Sequence, residues 1–129
     1  YAGIIAVLGS SGLGASIIEW MASIASEETF DIFTYWSAGL VNLLAPSGGG
    51  QCALQGPLQV PAGLKLGVDP ATIAMAVGWG GAWTNLIQPF WALPLLGVLG
   101  LKVKDIMGYC FILCIWVGVV TSVLMLFLY

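Results

Sequence analysis

The chain contains no arginine and no histidine, and its three lysines face six acids, for a net charge of −3. Without a basic face it cannot neutralise phosphates, which excludes a nucleic-acid surface and an anionic-lipid patch. Without histidine it lacks the usual general base and a common metal ligand. Charge of either sign is scarce: 7% of residues are charged and 60% hydrophobic, with a mean hydropathy of +1.02. Soluble domains carry about 25% charged residues, so this composition is that of an integral membrane protein. Cysteine is sparse as well. Cys52, Cys110 and Cys114 form an odd set without metal-binding partners, which argues against a disulfide framework. They are expected to be buried thiols behaving as small hydrophobes. Tyr1 is not a start methionine and no charged leader precedes the apolar run, so no signal peptide is expected. The chain reads as the C-terminal part of something longer.

The few charges punctuate the chain. Tyr1 to Ile18 is uncharged and ends at Glu19-Trp20, an interface-like pair. Glu27, Glu28 and Asp31 form an acidic loop. Ile32–Leu64 follows without charge, closed by Lys65 and Asp69, and Pro70–Leu101 is closed by Lys102, Lys104 and Asp105. The last run, Ile106–Tyr129, has neither charge nor proline. As a helix it covers about 36 Å, enough for a hydrocarbon core of about 30 Å.

Ile32–Leu64 cannot be one plain helix, because Ala45-Pro46-Ser47-Gly48-Gly49-Gly50-Gln51 interrupts it. Each arm is then roughly 20–27 Å long, short of a full span. Two short arms meeting at a Gly-rich tip describe a re-entrant hairpin over 30–66 with its tip at 46–51. Pro57 and Pro61 suggest an irregular second arm. In Pro70–Leu101, Asp69 is placed to cap a helix with Pro70 at its first position. Gly78-Trp79-Gly80-Gly81 is expected to interrupt that helix, leaving two half-helices joined by unwound backbone over 70–101. With 1–25 and 106–129 as spanning segments, the fold class is all-α integral membrane, with one hairpin and one discontinuous helix. Lys102 and Lys104 put the 101–105 loop in the cytoplasm and the hairpin's two ends outside.

Irregular backbone at membrane depth is tolerated only where protein buries it or a cavity needs it, so the Gly-rich breaks point to a bound polar ligand. The glycine triplet lacks the lysine of a phosphate loop. No carboxylate pair is present, and Ser47 and Cys52 have no histidine partner, so an enzyme is not expected. The amides of Gly48, Gly49 and Gly50, with Ser47, Gln51 and Gln88, are candidate neutral donors for a carboxylate. Carbonyls around Gly80 and Gly81, with Thr84 and Asn85, are candidate oxygen ligands for a sodium ion. Most other glycines, Gly12, Gly39, Gly100 and Gly118 among them, read as helix-packing positions. Trp79, Trp83, Phe90 and Trp91 read as core more readily than as a pocket wall.

Ser37-Ala38-Gly39-Leu40-Val41-Asn42, Pro46-Ser47-Gly48-Gly49-Gly50, Gln55-Gly56-Pro57, Gln88-Pro89-Phe90-Trp91-Ala92-Leu93-Pro94 and Asp105-Ile106-Met107-Gly108-Tyr109-Cys110 resemble the bacterial short-chain fatty acid transporter family. The resemblance runs through the whole chain with matching order and spacing. It implies a multi-pass protein of the bacterial inner membrane. The expected activity is secondary transport of monocarboxylates such as acetoacetate or butyrate, coupled to sodium or protons. It further implies a missing N-terminal half, a second copy of the transporter as a candidate partner, and no cofactor. The family is similar to the ion-transporter superfamily, which would make this chain the second of two inverted repeats. Gly81 departs from the family, whose members commonly carry an acid there, so that position has no carboxylate to carry a coupling proton. Cys52 stands where a large aromatic is usual. The competing readings are a dicarboxylate or other organic-anion transporter and a non-transporting structural membrane module.

Overall fold

Backbone amides in an apolar medium must pair within their own segment, and a chain so poor in charge satisfies them as helix. The computed structural model describes residues 2–128, and among these every regular element is helical. The elements are α1 (Ala2–Ser11), α2 (Leu13–Ile24), α3 (Phe30–Leu44), α4 (Gly48–Lys65), α5 (Pro70–Asn85), a 3-10 turn at Pro89–Ala92, α6 (Leu93–Leu99) and α7 (Val103–Leu128). Tyr1 and Tyr129, the outer ends of the first and last expected segments, lie outside the described residues.

Among the described helices, α7 is the one long and apolar enough to cross a membrane by itself, over Val103–Phe127. Helices α3, α4 and α5 form the unit that positions the polar groups. α3 and α4 fold back on each other through a three-residue connection, Ala45–Ser47, and Gly48–Gln51, expected to be part of the tip, form the first turn of α4. α5 lies parallel to α3: Phe30 packs with Ile73 at one end, and Asn42 meets Thr84 and Asn85 at the other. α7 runs antiparallel to both. Trp83 donates its Nε1–H to the Cys114 carbonyl at 2.7 Å, and Met125 reaches back to Tyr35 and Ala76.

Small residues allow these helices to approach. A Cβ at Gly39 would lie 2.8 Å from the Trp83 ring, and one at Gly118 would lie 2.7 Å from the other side of that ring. Trp83 is thus clamped between α3 and α7 and stacks on Tyr35 with ring centroids 5.0 Å apart. At the far end, a Cβ on Gly63 would collide with the Ile73 Cδ1 and lie 2.8 Å from Phe30. In lipid, where apolar burial gives little driving force between helices, such close contact is the main source of association.

The backbone differs from the sequence reading in three places. Gly78–Gly81 do not unwind; they are interior residues of α5, and the break falls later, at Leu86–Gln88 before the 3-10 turn. Gly80 lies against the α3 backbone, where a Cβ would collide with the Tyr35 carbonyl oxygen and sit 2.7 Å from the Ala38 Cβ. Interior helical glycine costs about 1 kcal/mol, and this contact offsets it. α4 stays helical through Pro57 and Pro61. Both prolines are exposed, about 200° around the helix from Gln55 and Gln59, so the ring clashes and lost hydrogen bonds stay off the packed face. The first segment is two helices, because Gly12 adopts φ +74° between α1 and α2. Gly100 likewise adopts φ +66° at the end of α6. A methyl group at either position would meet nothing within 4 Å, so these two glycines serve conformation and not helix packing.

Candidate functional site

The C-terminal ends of α3 and α5 and the N-terminal end of α4 converge. Helix C-termini present partial negative charge and N-termini partial positive charge, so this one region offers both kinds of electrostatic partner without a charged side chain. Its centre is Asn42, 1% exposed. The Asn42 Nδ2 donates to the Gly81 carbonyl at 2.9 Å, the Thr84 Oγ1 at 2.9 Å and the Asn85 Oδ1 at 2.8 Å. An amide nitrogen has two hydrogens, so three oxygens around it share two donors. The Asn42 carbonyl accepts from the Gln88 Nε2 at 3.0 Å, tying the break after α5 to the end of α3.

The start of α4 completes the region. Ser47 is its N-cap, with the Oγ accepting from the Gly50 amide at 3.3 Å. Gly48 and Gly49 are the first two residues of the helix, whose amides have no intrahelical acceptor; both are exposed, and a Cβ at either would meet nothing within 4 Å. Gln51 is buried one turn on. Its Nε2 donates to the Ala38 carbonyl at 2.6 Å, and its Oε1 lies against Gly81.

The structure therefore brings Gln51, Gly81, Thr84, Asn85 and Gln88 together around Asn42. Ser47, Gly48, Gly49 and Gly50 lie beside them at the start of α4. Gly80 faces the α3 backbone one step away. Two details of the expected chemistry change. The tip glycines, expected to break the helix, are its first turn, with helical φ. The Gly81, Thr84 and Asn85 oxygens converge on the Asn42 amide, which supplies two hydrogens to the three of them. Of the aromatic set, Trp83 is core as read, whereas Trp79, Phe90 and Trp91 are more than half exposed. Cys114 is buried, but Cys52 is exposed, and all three thiols are free.

Sequence reasoning passed over two groups. Asn42 was one, although an asparagine in an apolar stretch is a recognisable signal. The other is a polar stripe at Gln51, Gln55 and Gln59, four residues apart and hence on one face of α4. All three are buried, and Gln51 and Gln59 bond to α3. The Gln59 Oε1 accepts from Thr34 Oγ1 at 3.0 Å and its Nε2 donates to Ser37 Oγ at 2.9 Å, while Ser37 donates back to the Thr34 carbonyl. Gln55 is 0% exposed, and neither its Oε1 nor its Nε2 has a partner.

An all-helical, charge-poor chain thus gathers neutral polar groups where three helix ends meet. The chain belongs to the short-chain fatty acid transporter family, whose model, described as short chain fatty acid transporter, matches residues 1–128. It is 45% identical over 120 residues to a protein of Escherichia coli (strain K12) that carries the provisional name of short-chain fatty acid transporter. A Haemophilus influenzae protein with the same provisional name is 44% identical over 110 residues. These alignments cover 93% and 85% of this chain but 27% and 25% of the relatives, so the chain spans about a quarter of their length. No solved structure matches it.

Proposed function

We propose that the full-length protein to which this chain belongs is a secondary transporter of short-chain monocarboxylates in the bacterial inner membrane. In this reading α3 and α4 form a re-entrant hairpin, entering and leaving the membrane on the outer side. α5 with α6 spans as a discontinuous helix, α1 with α2 makes one crossing, and α7 spans singly. The unit is then the second repeat of an inverted pair. It works with the N-terminal remainder of the transporter and, in the assembled form, with a second copy.

The observation that carries this is the meeting of one helix N-terminus and two helix C-termini around neutral polar side chains. A carboxylate leaving water unpaired would lose several kcal/mol or more. The first amides of α4, those of the exposed Gly48 and Gly49, are the donors at its positive end, as in transporter half-helices that face substrate carboxylates. Ser47, Gly50, Gln51 and Gln88 frame that end. One negative charge matches one helix N-terminus, whereas a dicarboxylate would need a second positive partner; this chain has no Arg, and the hairpin's one lysine, Lys65, lies at the far end of α4. The negative ends of α3 and α5, with Gly80, Gly81, Thr84 and Asn85, favour a monovalent coupling cation. Sodium would compete for their oxygens with the two hydrogens of the Asn42 amide.

The test is uptake of labelled butyrate and acetoacetate by cells expressing the full-length gene. Saturable uptake above vector cells, inhibited by other short monocarboxylates and unaffected by succinate, is expected. No saturable uptake, or equal inhibition by succinate, would overturn the reading.

A further inference from the structure

At the opposite end of the α3–α4–α5 unit lies a carboxyl that the transport site does not use. Asp31 is in the first turn of α3, about 16 Å along the helix from Asn42. It is 9% exposed, and its Oδ1 has no hydrogen-bond partner. Asp31 and Thr72 line two cavities at once. One, of about 190 Å³, is polar and is bordered also by Glu27, Gly67, Val68 and Asp69. The other, of about 240 Å³, runs between α5 and α7 and is largely apolar, with Met75, Ala76, Trp79 and Met125 among its walls and Thr121 as a further hydroxyl. Asp31 thus stands between a polar vestibule and an apolar groove.

The surroundings decide what such a carboxyl can bind. The charged groups facing it are acids: Glu27 from the α2–α3 loop and Asp69 at the α5 N-terminus, the latter held by the Ala71 amide at 3.0 Å. The α4–α5 connection supplies Gly67 and Val68, α5 supplies Thr72, and α7 supplies Thr121, none of them charged. Tyr35 follows one turn along α3. Glu19 on α2 and Lys65 at the end of α4 border neither cavity. An isolated buried carboxylate is costly and neutralises by taking a proton or a cation. Among the described residues, no group of three His, Cys, Asp or Glu is placed to hold a metal ion. The proton remains.

We propose that Asp31 is the proton-binding carboxyl of the transport cycle, loaded from the acidic vestibule and carried neutral with each monocarboxylate; this rests on the transport reading above. Hydronium gives its proton to Oδ1, forming one O–H bond and releasing water, and Asp31 passes from −1 to 0. On the other side water takes the proton back. One proton accompanies one monocarboxylate anion, so the step is electroneutral. Burial pushes the Asp31 carboxyl up from its ordinary value, in the direction that loading requires. At the water-facing end of the hairpin, Asp31 lies outside the spanning helices.

Full-length protein in liposomes, with labelled acetoacetate as probe and protein-free liposomes subtracted, separates the outcomes. Two quantities are read: exchange against internal acetoacetate at equal pH, and accumulation driven by an acid exterior. Asp31→Asn is permanently neutral, so it should keep exchange while pH-driven accumulation falls about tenfold or more. Asp31→Glu, which restores a carboxyl, should recover accumulation. Asn accumulation at the wild-type level, or loss of both activities that Glu does not recover, overturns the inference. A wild-type protein silent in both measurements overturns the transport reading itself, and the inference falls with it.

Discussion

A methyl group added at Gly49 would meet nothing within 4 Å, whereas one added at Gly80 would collide with the Tyr35 carbonyl oxygen. Both residues are helical, both sit in glycine-rich runs, and both belong to the region around Asn42. They differ in what stands opposite. Gly80 has α3 against it, so its missing side chain is filled by protein. Gly49 has open space beside a helix start, so its missing side chain leaves room next to the first turn of α4. The first glycine is a packing device, and the second is room for a ligand under the proposed transport reading.

The sharpest way to break that contrast is Gly80→Ala. The added carbon would force α3 and α5 apart where Trp83 is already clamped between Gly39 and Gly118. Overpacking of this kind typically costs about 1–3 kcal/mol and sometimes more, and here the obstacle is backbone. The expected result is a marked loss of folded full-length protein in the membrane, read as the monodisperse fraction extracted in mild detergent. A wild-type folded fraction would show that α3 and α5 do not meet as described.

Gly49→Ala examines the other side. Alanine is the better helix former by about 1 kcal/mol, and the site has space for it, so the folded fraction should stay level or rise. Butyrate uptake should nonetheless fall about tenfold or more if a carboxylate must reach the amides at the start of α4. Normal uptake with normal folding would move the substrate site away from this helix start.

This contrast also explains what was legible beforehand. Uncharged runs bounded by charge clusters made the helical class and the long last helix readable, because apolar length is a local property. The Asp69-Pro70 start was readable too, and the carboxylate does cap the Ala71 amide. The two short arms followed from Pro46 and the glycines after it. Gly78–Gly81 misled because glycine permits both unwinding and close packing, and only α3, distant in sequence, selects between them. Pro57 and Pro61 misled likewise, since their effect depends on which face of α4 they occupy. Asn42 draws its importance from four partners more than thirty residues away, yet polar residues at helical spacing, Asp31, Thr34, Asn42 on α3 and Gln51, Gln55, Gln59 on α4, were visible as a pattern.

The smallest expected effect concerns the middle of that pattern. Gln51 and Gln59 are held by α3, but Gln55 between them is fully buried with both amide atoms unpaired. Leaving such a group unsatisfied costs about 1–3 kcal/mol, whereas an apolar replacement of the same shape is near neutral or stabilising. Gln55→Met keeps the length and removes the polar atoms. If Gln55 only fills space between α3 and α4, the full-length protein should become more stable by about 1 kcal/mol, seen as a slightly higher midpoint in a thermal shift measurement, with uptake unchanged. A lower midpoint would mean that the amide is satisfied in the complete transporter by a group this chain does not contain. An unchanged midpoint with reduced uptake would place Gln55 in the transport cycle, making the polar stripe on α4 part of the working site and not only of its support.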